Sequence, residues 1–404
     1  MEKTGLTLSM KEKNLIEIVQ AFAANKVGMS ETAKVLCRSE RTVYRLKARL
    51  LERGIEGLIH GNKGRSSRRA TPDALKKKVL KLVAGKYADI NDTHLVEILE
   101  REEGIRIGRE VLRQTLRGAG VKPKRRRRPP KYRSRRERKP AFGMMLQVDA
   151  SPHDWLEGRG PWLTAVGAID DATNFRWVRF VEVENTWAYL ELMGQVCASH
   201  GVPRSLYSDR HSVFFVTREP TIVEQLTDSP PLTQFGRAMR ELDVRVIPAY
   251  SPQAKGRVER MWGVLQDRLV AELRLAGAST IEQANAVLER VLADINRRFR
   301  VEPKDTTSLF RNAPCRSRIE RILCLKDTRF VAKDHTVSFE GLILQIPPSK
   351  RFHSLAGNRV DVLQLQDGSI HIEYRDRRVA SFSPQAVAKL VKTKLTGKTQ
   401  LKVA

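Results

Sequence analysis

Three acidic residues stand in short contexts suited to phosphodiester chemistry. Asp149 closes the run Leu146-Gln147-Val148-Asp149, and Asp209 closes Leu206-Tyr207-Ser208-Asp209. Glu259 lies in Ser251-Pro252-Gln253-Ala254-Lys255-Gly256-Arg257-Val258-Glu259-Arg260. Two carboxylates at strand ends plus one on a helix can hold two magnesium ions about 4 Å apart, one activating a nucleophile and one stabilising the leaving oxygen. Magnesium takes hard oxygen ligands and keeps several waters, so three carboxylates and a phosphate suffice; manganese shares that preference and is the expected substitute.

Other acids compete for the role and fit it less well. Asp170-Asp171 are adjacent, so their side chains point to opposite faces, and Asp-Asp-Ala-Thr-Asn is good turn chemistry. Asp154 belongs to the turn-prone Pro152-His153-Asp154, Asp243 to a helix end or turn, and Asp267 to a solvated surface. On the helix that carries Glu259, Val258, Met261, Trp262, Leu265 and Leu269 make a buried stripe with Glu259 beside it. Lys255, one turn earlier on the same side, can meet a phosphate at the metal site. Gly256 permits close backbone approach, and Arg257 and Arg260 read as general DNA contacts. Arg210 and His211, which follow Asp209, are neighbours of the site.

The charge favours a polyanionic partner. The 404 residues hold 74 Lys and Arg against 46 Asp and Glu, a net charge of +28. A chain this basic, with no apolar run of membrane-spanning length, is expected to bind nucleic acid through phosphate contacts. The start, Met-Glu-Lys-Thr-Gly, lacks a secretory layout, and Cys37, Cys197, Cys315 and Cys324 lack metal-ligand spacing. Reduced thiols in a cytoplasmic, nucleoid-associated protein are the simplest expectation.

The elements that would position these residues fall into several domains. Within residues 1–60 the pattern predicts three helices: one with Leu15, Ile18, Val19 and Phe22, a short one capped by Ser30, and one capped by Ser39 with Val43, Leu46 and Leu50 inward. Arg41, Arg45 and Arg49 recur at i, i+4 and i+8 on another face. That is a helix-turn-helix arrangement, whose last helix enters the major groove of double-stranded DNA. A linker at 61–70 leads to a second such unit at 71–120, with Arg109, Arg113 and Arg117 along its last helix. Residues 121–140 form a basic linker: Lys122 to Lys139 holds twelve Lys or Arg, including Arg125, Arg126, Arg127 and Arg128, and the single acid Glu137. Such a stretch cannot fold alone and is expected to order on phosphates.

Residues 141–300 alternate as an α/β domain. Strands are predicted at 144–148, 162–169 and 176–183, then a helix at 187–200, a strand at 205–208, a helix at 234–242, a strand at 244–248 and a helix from 255 to about 275. Three strands followed by alternating helix and strand is the order of the ribonuclease-H-like fold. A further amphipathic helix covers 281–299. Short strands between 325 and 380, with a hairpin turn at Asp367-Gly368, predict a small C-terminal β-barrel, and 381–404 reads as a mobile basic tail.

The segment 141–262 closely resembles the integrase-type DDE transposases of bacterial insertion sequences, relatives of retroviral integrases. The likeness is strongest at Tyr250-Ser251-Pro252-Gln253-Ala254-Lys255-Gly256-Arg257-Val258-Glu259-Arg260, and it extends over most of the chain. Residues 87–116 look like a second helix-turn-helix unit of that family, and 328–375 like its small β domain. The resemblance implies Asp149 as the first-strand carboxylate, Asp209 as the fourth-strand one and Glu259 as the helix one. Two departures stand out. Arg210 and His211 replace the Asn and Gly that often follow the second Asp, and a proline-rich insert at 217–233 lengthens the spacing between Asp209 and Glu259.

What the resemblance implies is a magnesium-dependent enzyme with two ions per active site. It would bind terminal inverted repeats, cleave the 3′ ends of a mobile element and transfer them to target DNA as a homodimer or larger assembly. Two other classes remain. A non-catalytic DNA-binding regulator derived from a transposase predicts a lost acid, whereas all three are present. A nuclease acting on hybrids needs neither the tandem helical units nor the basic arm.

Overall fold

Strand β2 (Leu163–Asp170) is buried at every position, which marks an interior strand covered on both faces. The computed structural model describes residues 9–60, 63, 70–125, 129, 132, 136–219, 231–249, 255–349 and 351–395. Arg126, Arg127, Arg128, most of the proline-rich insert (220–230) and the motif residues Tyr250 to Ala254 lie outside the described residues. The chain divides into two compact units, Met1–Lys77 and Lys78–Ala404.

In the first unit, α1 (Met10–Ala23) opens with a reciprocal cap between Ser9 and Glu12, which satisfies two orphan N–H groups. It is followed by α2 (Met29–Leu36) and α3 (Glu40–Arg53). Ile16, Val19 and Leu58 form the centre of the small core. The α2 start differs from expectation: Gly28, not Ser30, is its N-cap. α3 stops at Gly54, whose φ is +62°, a conformation that suits glycine.

The helices α4 (Asp73–Ala84), α5 (Asp92–Glu103) and α6 (Arg109–Gly118) follow, with the unit boundary falling inside α4. Beyond them, β2 sits in a five-stranded sheet of order β3-β2-β1-β4-β5. Here β1 is Leu146–His153, β3 Arg176–Val181, β4 Ser205–Ser208 and β5 Arg245–Pro248. The first three strands form an antiparallel meander, and β4 and β5 run parallel to β1. Parallel neighbours need crossovers, supplied by α7 (Thr186–His200) and α8 (Gln234–Glu241).

Alternate residues of the sheet serve opposite helical layers. Leu146, Val148, Val166 and Ala168 pack with Tyr189, Leu192 and Met193 of α7. Leu163, Ala165 and Ile169 pack on the other side with Met261, Trp262 and Leu265 of α9 (Gly256–Leu275) and with Leu288 and Ile295 of α10 (Ile281–Phe299). The element order is the expected one, with one shift. β1 runs on to His153 in register with β2, so Asp149 is not at its end; its pairing with β4, however, is recorded only at Leu146 and Gln147.

The C-terminal region departs further. After α11 (Arg316–Ile322), β6 (Leu325–Phe330), β9 (Arg359–Gln364), β10 (Ile370–Tyr374) and β11 (Arg377–Phe382) form an open antiparallel sheet of order β11-β10-β9-β6. β7 (Thr336–Phe339) and β8 (Leu342–Gln345) make a separate hairpin. The expected closed barrel is not found among the described residues; instead Val337, Leu344, Val362 and Ile372 bury one shared core between the two sheets. The expected mobile tail is corrected over its first part, where Pro384–Leu395 forms helix α12, and residues 396–404 lie outside the described residues. Val387 and Leu390, one turn apart, pack on that core.

Candidate active site

Helix α9 lies along β1 in register. Gln147 Oε1 accepts from the backbone N–H of Val258 (3.3 Å), Asp149 Oδ2 from the Trp262 indole (3.0 Å), and Ser151 Oγ from Gln266 Nε2 (3.1 Å). Each step of four residues along the helix matches two along the strand, because four helical rises of 1.5 Å nearly equal two strand rises of about 3.3 Å. The close approach depends on Gly167, paired with Asp149 across β1 and β2. A Cβ at Gly167 would stand 2.9 Å from Trp262 Cη2 and 3.0 Å from Met261 Cε.

Asp149 and Asp209 come together as the strand pairing dictates. Leu146 pairs with Leu206 and Gln147 with Tyr207, and the same offset carried forward sets Asp149 beside Asp209. Lys255, at the start of α9, bridges them: its Nζ lies 2.9 Å from Asp149 Oδ1 and 3.3 Å from Asp209 Oδ2. Asp149 therefore has one oxygen on the lysine and the other on the Trp262 indole. The Asp209 side chain is 52% exposed and opens to solvent. Its Oδ1 accepts from the backbone N–H of His211 (3.2 Å), whose Nδ1 accepts from the backbone N–H of Val213. Arg210 is exposed beside them.

Glu259 is exposed on the first turn of α9, four residues after Lys255 and three before Trp262. Helical spacing sets it on the side of α9 that carries both contacts to Asp149. Among the described residues no group of three or more Asp, Glu, His or Cys is gathered closely enough to hold a metal ion. The chain thus brings Asp149 and Asp209 together around one cation and leaves Glu259 alongside. The donor chemistry fits magnesium: two hard carboxylates bracket a positive charge at a half-open rim, where water can complete a shell.

The neighbouring acids are structural. Asp170 is fully buried and accepts from the backbone N–H groups of Gly143, Ala172 and Thr173 and from the Thr173 hydroxyl. Burial raises its pKa, and those hydrogen bonds work against the rise. Asp171, also buried, takes hydrogen bonds from Gln147 Nε2, Lys139 N–H and Arg136. Arg257 Nη1 lies 3.0 Å from Asp171 with its side chain 12% exposed. The Arg257 guanidinium, expected as a general DNA contact, is thus engaged by a buried carboxylate. The solvated surface expected for Asp267 is corrected, since it is half-buried opposite Lys124 of the basic arm (3.6 Å).

The remaining arginines divide by what holds them. Arg41, Arg45 and Arg49 are all exposed on α3, opposite the buried Val43. Arg109, Arg125 and Arg260 are exposed. Arg113 is exposed but pairs with Glu110, and Arg117 is half-buried against Asp92 (2.6 Å). Sequence reasoning placed Trp262 in the core stripe and missed its bond to Asp149. It also missed Gly167, although a glycine inside an apolar strand signals close approach.

Comparison with known proteins gives the lineage. Residues 17–75 match the family described as winged helix-turn helix. The protein y4bF of Sinorhizobium fredii, assigned to the transposases, is 34% identical over 374 residues, covering 91% of this chain and 80% of that protein. The transposase for insertion sequence IS1202 of Streptococcus pneumoniae is 30% identical over 408 residues, covering 91% and 85%. Among solved structures, the catalytic core domain of BIV integrase aligns with 41% of this chain and 90% of its own at 21% identity and TM-score 0.28. The simian T-cell lymphotropic virus intasome, in complex with PP2A regulatory subunit B56 gamma, aligns with 76% of this chain and 99% of its own at 12% identity and TM-score 0.33. Scores that low leave the description of the fold to the strand order itself.

Proposed function

The chain belongs to the transposases of insertion sequences, and from that premise we propose that it cleaves the 3′ ends of its element and joins them to target DNA, using Asp149, Asp209 and Glu259 as the carboxylates of a ribonuclease-H-like core. The observation that carries the proposal is the meeting of Asp149 and Asp209 on neighbouring parallel strands around a single cation, with Glu259 one helical turn along. Two magnesium ions, or manganese in their place, would supply Lewis-acid activation of the attacking oxygen and neutralise the leaving one. The chain's own residues prepare for that. Trp262 fixes the rotamer of Asp149, the α9–β1 register fixes the height of the carboxylates, and helical spacing sets Glu259 on the side of α9 that faces Asp149.

Ends would be recognised by α3, with Arg41, Arg45 and Arg49 on phosphates and neighbouring side chains on base edges. The α4–α6 trio and the basic arm extend the contact with Arg109, Arg113 and Arg125. Joining two ends needs two active sites, so the working form is a dimer or larger assembly on double-stranded DNA. A regulator that has lost catalysis fits less well, because the two strand carboxylates are held together at the cost of mutual repulsion that DNA binding alone does not require.

The test is direct. Asp149→Ala, Asp209→Ala and Glu259→Gln are each expected to abolish magnesium-dependent nicking of labelled end DNA while leaving specific binding intact. Nicking at the wild-type rate by the Asp149→Ala, Asp209→Ala double variant would remove the assignment.

A further inference from the structure

Lys255 is placed where a cation is poorly suited to stand. It precedes the first turn of α9, and the aligned peptide dipoles of a helix disfavour positive charge at that end. Its ammonium is nonetheless withdrawn from solvent, with the side chain 12% exposed, between Asp149 Oδ1 at 2.9 Å and Asp209 Oδ2 at 3.3 Å. The two carboxylates outweigh the dipole. They need the lysine in turn, because adjacent carboxylates with no cation repel until one moves away or takes a proton.

We propose that Lys255 is a resident counter-cation of the carboxylate pair: it holds Asp149 and Asp209 together before a divalent ion is bound, and it competes with that ion for the same oxygens. The proposal rests on the carboxylate reading of the active site. Two consequences follow. The pair stays assembled without metal, and metal binding is weakened by the charge already present. Lys255 must withdraw from Asp149 for the ion to enter, and its flexible stem can carry the ammonium to a phosphate of bound DNA. DNA that accepts the lysine thereby favours metal loading, and the linkage is reciprocal.

The experiment uses full-length protein without DNA, so that it reads binding rather than turnover. Manganese is titrated and the free ion followed by electron paramagnetic resonance, and thermal melting is compared in chelator and in excess magnesium. Lys255→Met is expected to bind manganese roughly tenfold more tightly than wild type, because a like charge no longer opposes entry. It should also melt lower in chelator and gain more from magnesium. Lys255→Arg keeps the charge and should follow wild type, and Asp149→Asn should remove binding in every background. Manganese binding that Asp149→Asn abolishes but Lys255→Met fails to tighten would overturn the role of the lysine alone. If no binding is sensitive to Asp149→Asn, in wild type or in Lys255→Met, the carboxylate reading falls and this proposal falls with it.

Discussion

His94 of α5 and Glu272 of α9, 178 positions apart in the chain, meet at 2.9 Å with side chains only 4% and 3% exposed. Arg101, two turns further along α5, closes on the same carboxylate at 2.9–3.1 Å. One turn from these contacts on each helix, Arg268 of α9 grips Glu97 of α5, with Nη2 to Oε1 at 3.0 Å. The second helical trio is thus fastened to the helix that carries Glu259. The α5–α9 contact is made by charge, with the Glu97 and Glu272 carboxylates each answered by a guanidinium.

Glu272 gives that fastening a pH range. Burial opposes its ionisation, but hydrogen bonds from His94 and Arg101 outweigh burial and lower its pKa from 4.5 to about 2. A depressed carboxylate contributes stability that is fully present above its unfolded pKa and is lost as pH falls toward the folded one. Docking of α5 should therefore hold at pH 5 and above and weaken between pH 4.5 and about 2. Glu272→Gln leaves Arg101 without its carboxylate and should cost about 3 kcal/mol. Hydrogen exchange at α5 amides reads both effects, and protection unchanged by the substitution would show that the ion network does not hold the helix.

A second expectation concerns Trp262, which both packs the core and orients Asp149. Trp262→Phe keeps most of the apolar contact and deletes the indole N–H, a hydrogen bond to a charged group of the kind worth about 1.5–3 kcal/mol. Turnover should fall by about tenfold or more for that energy, while the melting temperature moves little. Gly167→Ala reaches the same bond from behind, because its new Cβ would press on Trp262 Cη2 and Met261 Cε. Overpacking of that kind costs about 1–3 kcal/mol, so both turnover and stability should drop. Wild-type nicking by Trp262→Phe would show that Asp149 keeps its rotamer without the indole.

How much of this was legible in the chain depends on distance. The β2, β4 and α9 positions follow from local pattern: an apolar run, a short strand ending before Asp209 and a 3.6-residue stripe from Val258 to Leu269. The meeting of Asp149 with Asp209 was legible only through the family resemblance, because β1 runs past Asp149 to His153 and no local pattern shows that β1 and β4 are neighbours. The α5–α9 fastening was not, since His94, Glu97 and Arg101 read as an ordinary polar face until a partner helix supplies Arg268 and Glu272. The Arg257–Asp171 pair was not legible for the same reason, since nothing local to Arg257 shows that the buried Asp171 lies beside it. In the C-terminal region β7 to β10 were readable from local pattern, whereas β11 (Arg377–Phe382) and most of β6 (Leu325–Phe330) were not, and closure depends on strand pairings that local sequence does not encode.

The exposed arginines of α3 provide the last expectation, which separates solvent-facing charge from charge already engaged. Arg41, Arg45 and Arg49 lie exposed along one helix, so each can neutralise a phosphate and release a counterion. Replacing one by Ala should reduce the slope of log binding constant against log salt by about 0.9, and replacing all three by about 2.7. Arg117 serves as the contrast, because its guanidinium is committed to Asp92 at 2.6 Å. Arg117→Ala should leave the salt slope within about 0.3 of wild type, well short of one phosphate contact, and destabilise the α5–α6 packing instead. Fluorescence anisotropy on end DNA between roughly 50 and 200 mM salt measures the slopes. A slope unchanged in the triple variant would place the DNA on another face of the first unit.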